Sequence, residues 1–361
     1  MRITEPPLPV KSVPDGSYAI VDTPLPAEMP VEVHAGFSLA QLLERSVKTL
    51  NRHLESTLRC PAGVPGELQG SPAEVLAQSF SSAEFVEQIR AKHIRSLICT
   101  HQMRQSGTVF TLCVDTLPME QRQQLYDEKD RILDGLRHMS IPVEIADEFD
   151  QEINSSNEFF DKLHELIDLI KNGYLAGYEH IIAAYSNFFS DFNADITAKL
   201  KDWIEGAKEG KEVKLNAGAL RAALTALIDK YTHPGSASVL FPKPGEGGTS
   251  RAEAEKWREA LGLPASCLKR NADGSYCVVI DTGPLWTMRG SLPSSNSVTW
   301  DTAKFQAWQT GFNAQEERMK NTLQSFTQKY SNANSYHDNF NKTLSSHLNQ
   351  FADMLKAMLS F

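Results

Sequence analysis

Apolar residues recur three or four positions apart over two long stretches of the chain. The first runs through Phe160, Leu163, Ile167, Ile170, Tyr174, Tyr178, Ile181, Tyr185, Phe188, Phe192, Ile196, Leu200 and Trp203. The second runs through Phe305, Trp308, Phe312, Met319, Leu323, Phe326, Tyr330, Ala333, His337, Phe340, Leu344, His347, Phe351, Leu355 and Met358. Such spacing is the seam of a helix that buries one stripe against a partner. About a hundred residues separate the two stretches. The economical arrangement is that they pair with each other, antiparallel, as an intramolecular coiled coil. Its core is expected to hold Tyr174, Tyr178, Ile181, Tyr185 and Phe188 against Leu323, Phe326, Tyr330, Phe340 and Leu344. Gly173 and Gly177 interrupt the first seam. Each costs about 1 kcal/mol relative to alanine inside a helix, so their expected role is close approach of a neighbouring helix. A helix over 301–361 would reach ~90 Å at 1.5 Å per residue, with Gly311 as its expected kink. Ser155 and Glu158 read as a capping box opening the first seam.

The remaining elements are shorter. Residues 1–35 carry many prolines and are expected to be extended and mobile. Residues 37–58 show an amphipathic pattern from Phe37 to Leu58, and Pro61 to Gly66 is the expected stop. A second helix is predicted from Ser81, which forms a capping box with Glu84, to Gly107. Its inner face is read as Phe85, Ile89, His93, Ile94, Leu97 and Ile98. A third follows Pro118 and ends near His138. Residues 36–140 thus read as an N-terminal helical hairpin that docks on something larger. Residues 205–300 have a mixed character. Val213 to Leu215 and Val239 to Phe241 resemble strands, and Asn216 is placed to cap a helix over 217–231. Ser250 and Glu253 box a helix carrying Trp257 and Leu261. Asp273-Gly274 marks a hairpin before Tyr276 to Ile280. The predicted fold is mainly α and elongated: the N-terminal hairpin, coil helices over 155–204 and 301–361, and a small α/β insertion over 205–300.

Composition changes this picture little but excludes several functions. The chain has 361 residues, 41% of them apolar and 22% charged. Its net charge of −9 lacks the basic footprint of a nucleic-acid binder. No stretch approaches the ~20 apolar residues of a membrane-spanning helix. The first residues show no signal-peptide pattern, so general secretion and stable membrane insertion are disfavoured. The five cysteines (Cys60, Cys99, Cys113, Cys267 and Cys277) are too few for a disulfide scaffold. Cys267 and Cys277 flank the hairpin and are open to pairing, although reduced thiols are the expectation.

The spacing of Cys60, Cys99, His101 and Cys113 fits no standard zinc pattern. Pro244 to Gly248 lacks phosphate-loop spacing. Ser266-Cys267-Leu268-Lys269 matches Ser-x-x-Lys but precedes a strand, where that motif needs a helix. His164, His180, His337 and His347 sit in helical stretches as packed or solvated residues. No catalytic, cofactor-binding or metal-binding residue is therefore expected. An enzyme would need a pocket with convergent titratable groups.

The last helix has an unusual surface. From Asp301 onward it holds six Lys and Arg, five Asp and Glu, and thirteen Asn and Gln. Such a face suits polar protein contacts, where high charge would be costly to desolvate. The same stretch carries a resemblance. Trp300-Asp301-Thr302-Ala303-Lys304-Phe305-Gln306-Ala307-Trp308, Gly311-Phe312, Met319 to Gln324 and Gln328 to Ser335 look like the C-terminal signature of type III secretion needle-tip proteins, the IpaD/SipD/BipD family. Tyr174 to Glu179 resembles the family's first coil helix. Val239 to Pro242 and Ser266 to Lys269 look most like SipD. The likeness covers about 155–345. It departs at Asn341 and Thr343, which stand where family members carry apolar residues.

The resemblance implies a secreted virulence protein of host invasion. It would leave the bacterium through the needle on a mobile N-terminal signal, here residues 1–35. It would then cap the needle at the cell surface, restrain effector secretion and support translocator assembly. The implied partners are the needle subunit, translocator proteins and further copies of itself, and some family members bind bile salts as an environmental cue. Tyr174, Tyr178 and Tyr185 are the aromatics that would line an apolar groove for such a ligand, although core packing is the preferred reading of them. The N-terminal hairpin would act as a self-chaperone over the apolar seam. Lys329, Asn334, Asp338 and Lys342 are the candidate needle contacts. The alternatives are a generic coiled-coil adaptor and a ligand-binding sensor without needle association.

Overall fold

The computed structural model describes residues 37–58, 71–207 and 211–360. The expectations for residues 1–35, for Cys60 and for the stop at Pro61 to Gly66 lie outside these residues. The longest element is α12 (Thr302–Leu359), one helix of 58 residues. It is about 87 Å long at the α-helical rise. Asp301 starts it, its side chain accepting from the Lys304 amide at 2.8 Å. The helix runs through Gly311 unbroken.

Its partner is assembled from α6 (Phe159–Asp168), a π-helical segment (Leu169–Leu175), α7 (Ala176–Phe192), a second π-helical segment (Asn193–Thr197), α8 (Ala198–Leu200) and a closing 3-10 turn (Lys201–Trp203). The two runs are antiparallel. Tyr185 meets Phe326 at 5.0 Å between ring centroids, Tyr174 meets Tyr336 at 6.1 Å, and Phe159 meets Phe351 at 5.9 Å. As numbering falls on one strand of the coil it rises on the other. Two expectations need correction. Ser155 closes α5 (Ala146–Asn154), and Glu158 stands at the N-cap of α6, so no capping box forms there. In α12 the seam steps from Leu344 to Leu348 and not to His347, which stays half-buried. Two successive four-residue steps at 340, 344 and 348 shift the stripe around the helix, as a stutter does.

Four helices precede α5. They are α1 (Leu39–Leu58), α2 (Pro72–Ser81), α3 (Ala83–Asp115) and α4 (Met119–Arg137). α1 lies antiparallel to α3: Ser46 donates to Ser106 at 2.9 Å, and the Cys113 thiol approaches the Leu39 carbonyl at 3.9 Å. α2 starts on a true capping box, Ser71 with Glu74, which the sequence reading missed. α3 is capped by Ser82 and not by Ser81, and it continues eight residues past Gly107. That glycine is a contact: a Cβ there would stand 3.0 Å from Phe160. The rotation of α3 also differs from expectation. Its buried face carries Phe85, Lys92, Ser96, Cys99, Met103, Ser106, Phe110 and Cys113, while Ile94, Leu97 and Ile98 are exposed. Phe37 is likewise exposed.

Between the coil runs lie two small antiparallel sheets and three helices. β1 (Ile204–Ala207), β2 (Glu212–Leu215) and β6 (Val298–Asp301) form one sheet in the order β1-β2-β6. β3 (Val239–Phe241), β4 (Leu268–Arg270) and β5 (Tyr276–Val279) form the other in the order β3-β5-β4. α9 (Ala217–Lys230) is capped by Asn216 at 3.1 Å and α10 (Arg251–Leu261) by Ser250 at 3.1 Å. α11 (Gly283–Gly290) completes the set. Gly274 adopts φ 91° between β4 and β5, a conformation open to glycine, so the Asp-Gly turn forms as the sequence predicts. Cys267 and Cys277 are free thiols. The fold is mainly α with a small α/β insertion.

Candidate functional site

The four candidate contacts on α12 differ in exposure. Lys342 is exposed, whereas Lys329, Asn334 and Asp338 are half-buried. Asn334 accepts from Nζ of the buried Lys92 on α3. Asp338 accepts from His337 Nδ1 at 3.2 Å. Two of the four are therefore engaged inside the protein. Around them the helix presents amides and hydroxyls, with Gln328, Ser331, Asn332, Ser335 and Asn339 all exposed. Inside, Leu323, Phe326, Tyr330, Phe340 and Leu344 are buried, as are Tyr174, Tyr178, Ile181, Tyr185 and Phe188 across the coil.

The seam contains a layer of polar side chains. His337 and Asn341 are both 2% exposed. Asn341 Nδ2 donates to His337 Nε2 at 3.1 Å, while the Nδ1 proton goes to Asp338. This is the neutral imidazole. Burial lowers the His337 pKa; the Asp338 hydrogen bond opposes that, and the Lys92 and Lys171 charges reinforce it. Lys171 projects from the first π segment, fully buried, and pairs with Glu179 of α7 at 3.1 Å. Glu179 Oε1 has no hydrogen-bond partner among the described residues. The layer therefore joins α3, the first coil run and α12. Sequence reading flagged Asn341 as a departure but missed Lys92, Lys171 and Glu179. The available signal was charge beside seam positions, Lys171 next to Ile170 and Glu179 next to Tyr178.

Above this layer the α/β insertion docks on the coil. Trp257 of α10 stacks on Phe241 at 4.4 Å and lies 5.3 Å from the Tyr178 ring. Gly177 makes room for it, since a Cβ there would stand 2.9 Å from Trp257 Cη2. The close approach expected at this glycine is real, but the neighbour is an indole from the insertion. The Tyr178 hydroxyl donates to Glu144 Oε1 at 2.5 Å, and burial raises its pKa ahead of the Glu144 charge. Tyr174, Tyr178 and Tyr185 are thus occupied in core packing.

The N-terminal helices cover the rest of the seam. Phe80 of α2 and Phe85 of α3 pack edge-on against Tyr330 at 5.9 and 6.0 Å. α1 lies along the end of α12, where Ser345 donates to Asn51 at 2.7 Å and Lys356 to Glu44 at 2.8 Å.

The candidate chemistry takes a simple form. Burial pushes the Cys99 and Cys267 thiols up to about 12 and Cys113 up to about 11, so they stay protonated and inert. Ser266 lies in a 3-10 turn and Lys269 on β4, so the Ser-x-x-Lys match has no helical geometry. No cluster of three or more potential metal ligands occurs among the described residues. No described helix is long and apolar enough to cross a membrane.

The described fold is an antiparallel coil covered by N-terminal helices, with a mixed insertion between its arms. A family model for type III secretion systems tip complex components matches residues 69–359. The chain belongs to that family, which is structural and not enzymatic. The cell invasion protein SipD of Salmonella typhi is 43% identical over 211 residues, covering 57% of this chain and 62% of SipD. The invasin IpaD of Shigella flexneri is 37% identical over 226 residues, covering 62% of this chain and 65% of IpaD. The chain thus spans under two thirds of the length of these curated relatives. The Pathogenicity island 1 effector protein of Chromobacterium violaceum shares the fold, with TM-score 0.61 and 28% identity over 87% of this chain and 94% of that one.

Proposed function

We propose that this protein caps the type III secretion needle, restrains effector secretion and gives translocator proteins a platform, at the bacterial surface after export through the needle. The observation that carries this reading is the C-terminal helix. Its inner stripe is sealed in the coil, and its outer face is amide-rich and nearly neutral with Lys342 exposed. A face of that kind loses little on desolvation against a protein partner. Residues 1–35 would supply the export signal, and the 36–140 helices would shield the coil as a self-chaperone until assembly. Family membership supports both roles. The test is capture of the purified full chain by the needle subunit of the same organism. Capture that Lys342→Glu and Lys329→Glu weaken supports the reading. A wild-type chain that is not captured overturns it and leaves the generic adaptor.

Bile-salt sensing is the finer part of the proposal. Its support is the family resemblance, because the three tyrosines first considered for it are packed in the core. Titration of deoxycholate against tryptophan fluorescence decides it. A saturable change supports a site, and a flat response removes the sensing role.

A further inference from the structure

Helix α3 is basic through its middle, and it lies on histidines. Between Glu87 and Asp115 it carries Arg90, Lys92, Arg95 and Arg104 with no acidic residue, in a chain whose net charge is −9. Arg90 pairs with Glu87 of its own helix at 2.7 Å. Lys92 donates to the uncharged amide oxygen of Asn334, one turn from His337 on α12. Further along, α3 meets α6 where Gly107 leaves room for Phe160. His164 stands one turn on from Phe160 and half-buried, and Arg104 stands one turn before Gly107. Each end of the basic stretch therefore sits beside an imidazole that belongs to the coil.

Neither imidazole is set up to hold a second proton. His337 gives its Nδ1 proton to Asp338 and accepts from Asn341 at Nε2, so protonation there must displace the Asn341 bond. Lys92 of α3 and Lys171 of the π segment face it with positive charge, Glu179 of α7 is taken up by Lys171, and Asp338 is the carboxylate beside it. The Nε2 atom of His164 is buried with no hydrogen-bond partner among the described residues. Arg104 faces it from α3, and Asp161, Glu165 and Asp168 face it from its own helix. Two of those carboxylates are engaged, Glu165 by Asn157 and Asp168 by Asn172. Burial lowers the pKa of both histidines ahead of any charge. α2 is tied to α3 through Ser82, which ends one helix and caps the other, so the two form one cover.

We propose that α2 and α3 are an acid-released cover: proton uptake by His337 and His164 frees them from the coil while α7 and α12 stay folded. Once the cover lifts, both imidazoles meet water and titrate at the ordinary value of about 6.5. Closed, they resist the proton. Opening is therefore coupled to proton binding, and its equilibrium rises as pH falls below about 6.5. A histidine that charges only in the open state multiplies opening by about tenfold between pH 7.5 and pH 5.5, and two such histidines by about a hundredfold at most. Above pH 7.5 neither contributes. The inference rests on the reading of the N-terminal helices as a shield over the coil, and it supplies that shield with a release signal.

The test is amide hydrogen exchange of the full chain at pH 7.5 and pH 5.5, read by mass spectrometry and corrected for the intrinsic pH dependence of exchange. A helix lifted off the coil loses its tertiary support and exchanges as a unit. Peptides from 72–115 are expected to lose protection by about tenfold to a hundredfold at pH 5.5. Peptides from 176–192 and 323–355 are expected to change by less than about twofold on the same scale. His337→Gln/His164→Gln should abolish the loss in 72–115. Arg104→Gln changes an exposed residue and spares the core, so it serves even where the buried substitutions prevent folding. It removes the α3 charge that opposes His164 and should make the loss smaller than in wild type. Equal protection of 72–115 at the two pH values overturns the proposal. So does a loss spread evenly over α7 and α12, or one that Arg104→Gln and the histidine variant leave at its wild-type size. The measurement is made on the chain alone, so its failure is separable from a failure of the needle subunit to capture the protein.

Discussion

The buried Lys171–Glu179 pair makes a quantitative prediction about how the coil is held together. Both side chains are out of water, 1% and 3% exposed, with nitrogen and oxygen 3.1 Å apart. At an effective dielectric of about 20 their attraction is about 5 kcal/mol. Desolvating two ions costs several kcal/mol each, so the intact pair contributes little net stability. Removing one partner is different, because the other is stranded. Lys171→Met leaves a buried carboxylate and Glu179→Gln a buried ammonium, and each is expected to cost about 3–5 kcal/mol, the loss typical of a broken buried pair. Lys171→Met/Glu179→Leu strands nothing and is expected to be neutral or stabilising, by up to about 4 kcal/mol. Urea unfolding of the full chain measures all three variants. Single-variant losses below about 1 kcal/mol would refute a dry, paired layer.

Four further outcomes follow from the same structure. His337 is held neutral by burial, with Lys92 of α3 and Lys171 of the π segment opposing its protonation and Asp338 favouring it. Its folded pKa lies below the unfolded value, so it contributes a loss of stability as pH falls below about 6.5. His53, His164 and His180 shift the same way, so His337→Gln should reduce the slope of stability against pH by at most one proton, about 1.4 kcal/mol per pH unit. An unchanged slope in thermal melts between pH 5 and pH 7 would count against the buried imidazole. Glu152 is pushed up to about 7, first by its hydrogen bond with Glu165 and then by burial. Glu152→Gln should raise the thermal midpoint at pH 8, where both carboxylates are charged, and leave it nearly unmoved at pH 4, below the ordinary glutamate value, where Glu152 is largely protonated both folded and unfolded. Gly177→Ala drives a methyl group to 2.9 Å from Trp257 and should cost about 1–3 kcal/mol with a change in tryptophan emission. Gly311→Ala meets nothing within 4 Å and should stabilise α12 by about 1 kcal/mol, read by the same melts.

The long seams were legible because the 3-4 spacing of large apolar residues from Phe160 to Trp203 and from Phe305 to Leu344 has only one good burial solution. The caps at Asn216 and Ser250 and the turn at Asp273-Gly274 were legible because each is a local signal whose geometry depends on neighbours in sequence. The rotation of α3 was not. Apolar residues stand on both of its sides, and the side chosen includes Lys92, Ser96 and Ser106, which a periodicity argument counts as outward. Lys92 and Ser106 are buried because partners distant in sequence accept or share their hydrogen bonds, Asn334 for Lys92 and Ser46 for Ser106. The same holds for Lys171, whose partner Glu179 lies two turns away on the far side of a π-helical segment.

These misses share a physical basis. A polar group is tolerated in a seam only where something satisfies it. In this coil part of that satisfaction comes from outside the two coil helices. Lys92 reaches Asn334 from α3, and Asn51 holds Ser345 from α1. Polar residues at seam positions fix register at a cost in stability. Here they also fix which third helix lies on the seam and at what rotation. An apolar seam alone would accept a cover in many rotations, whereas Lys92 against Asn334 accepts one. The rotation that buries Lys92 is also the one that turns Ile94, Leu97 and Ile98 outward, so the polar layer inside the coil sets the apolar face outside it.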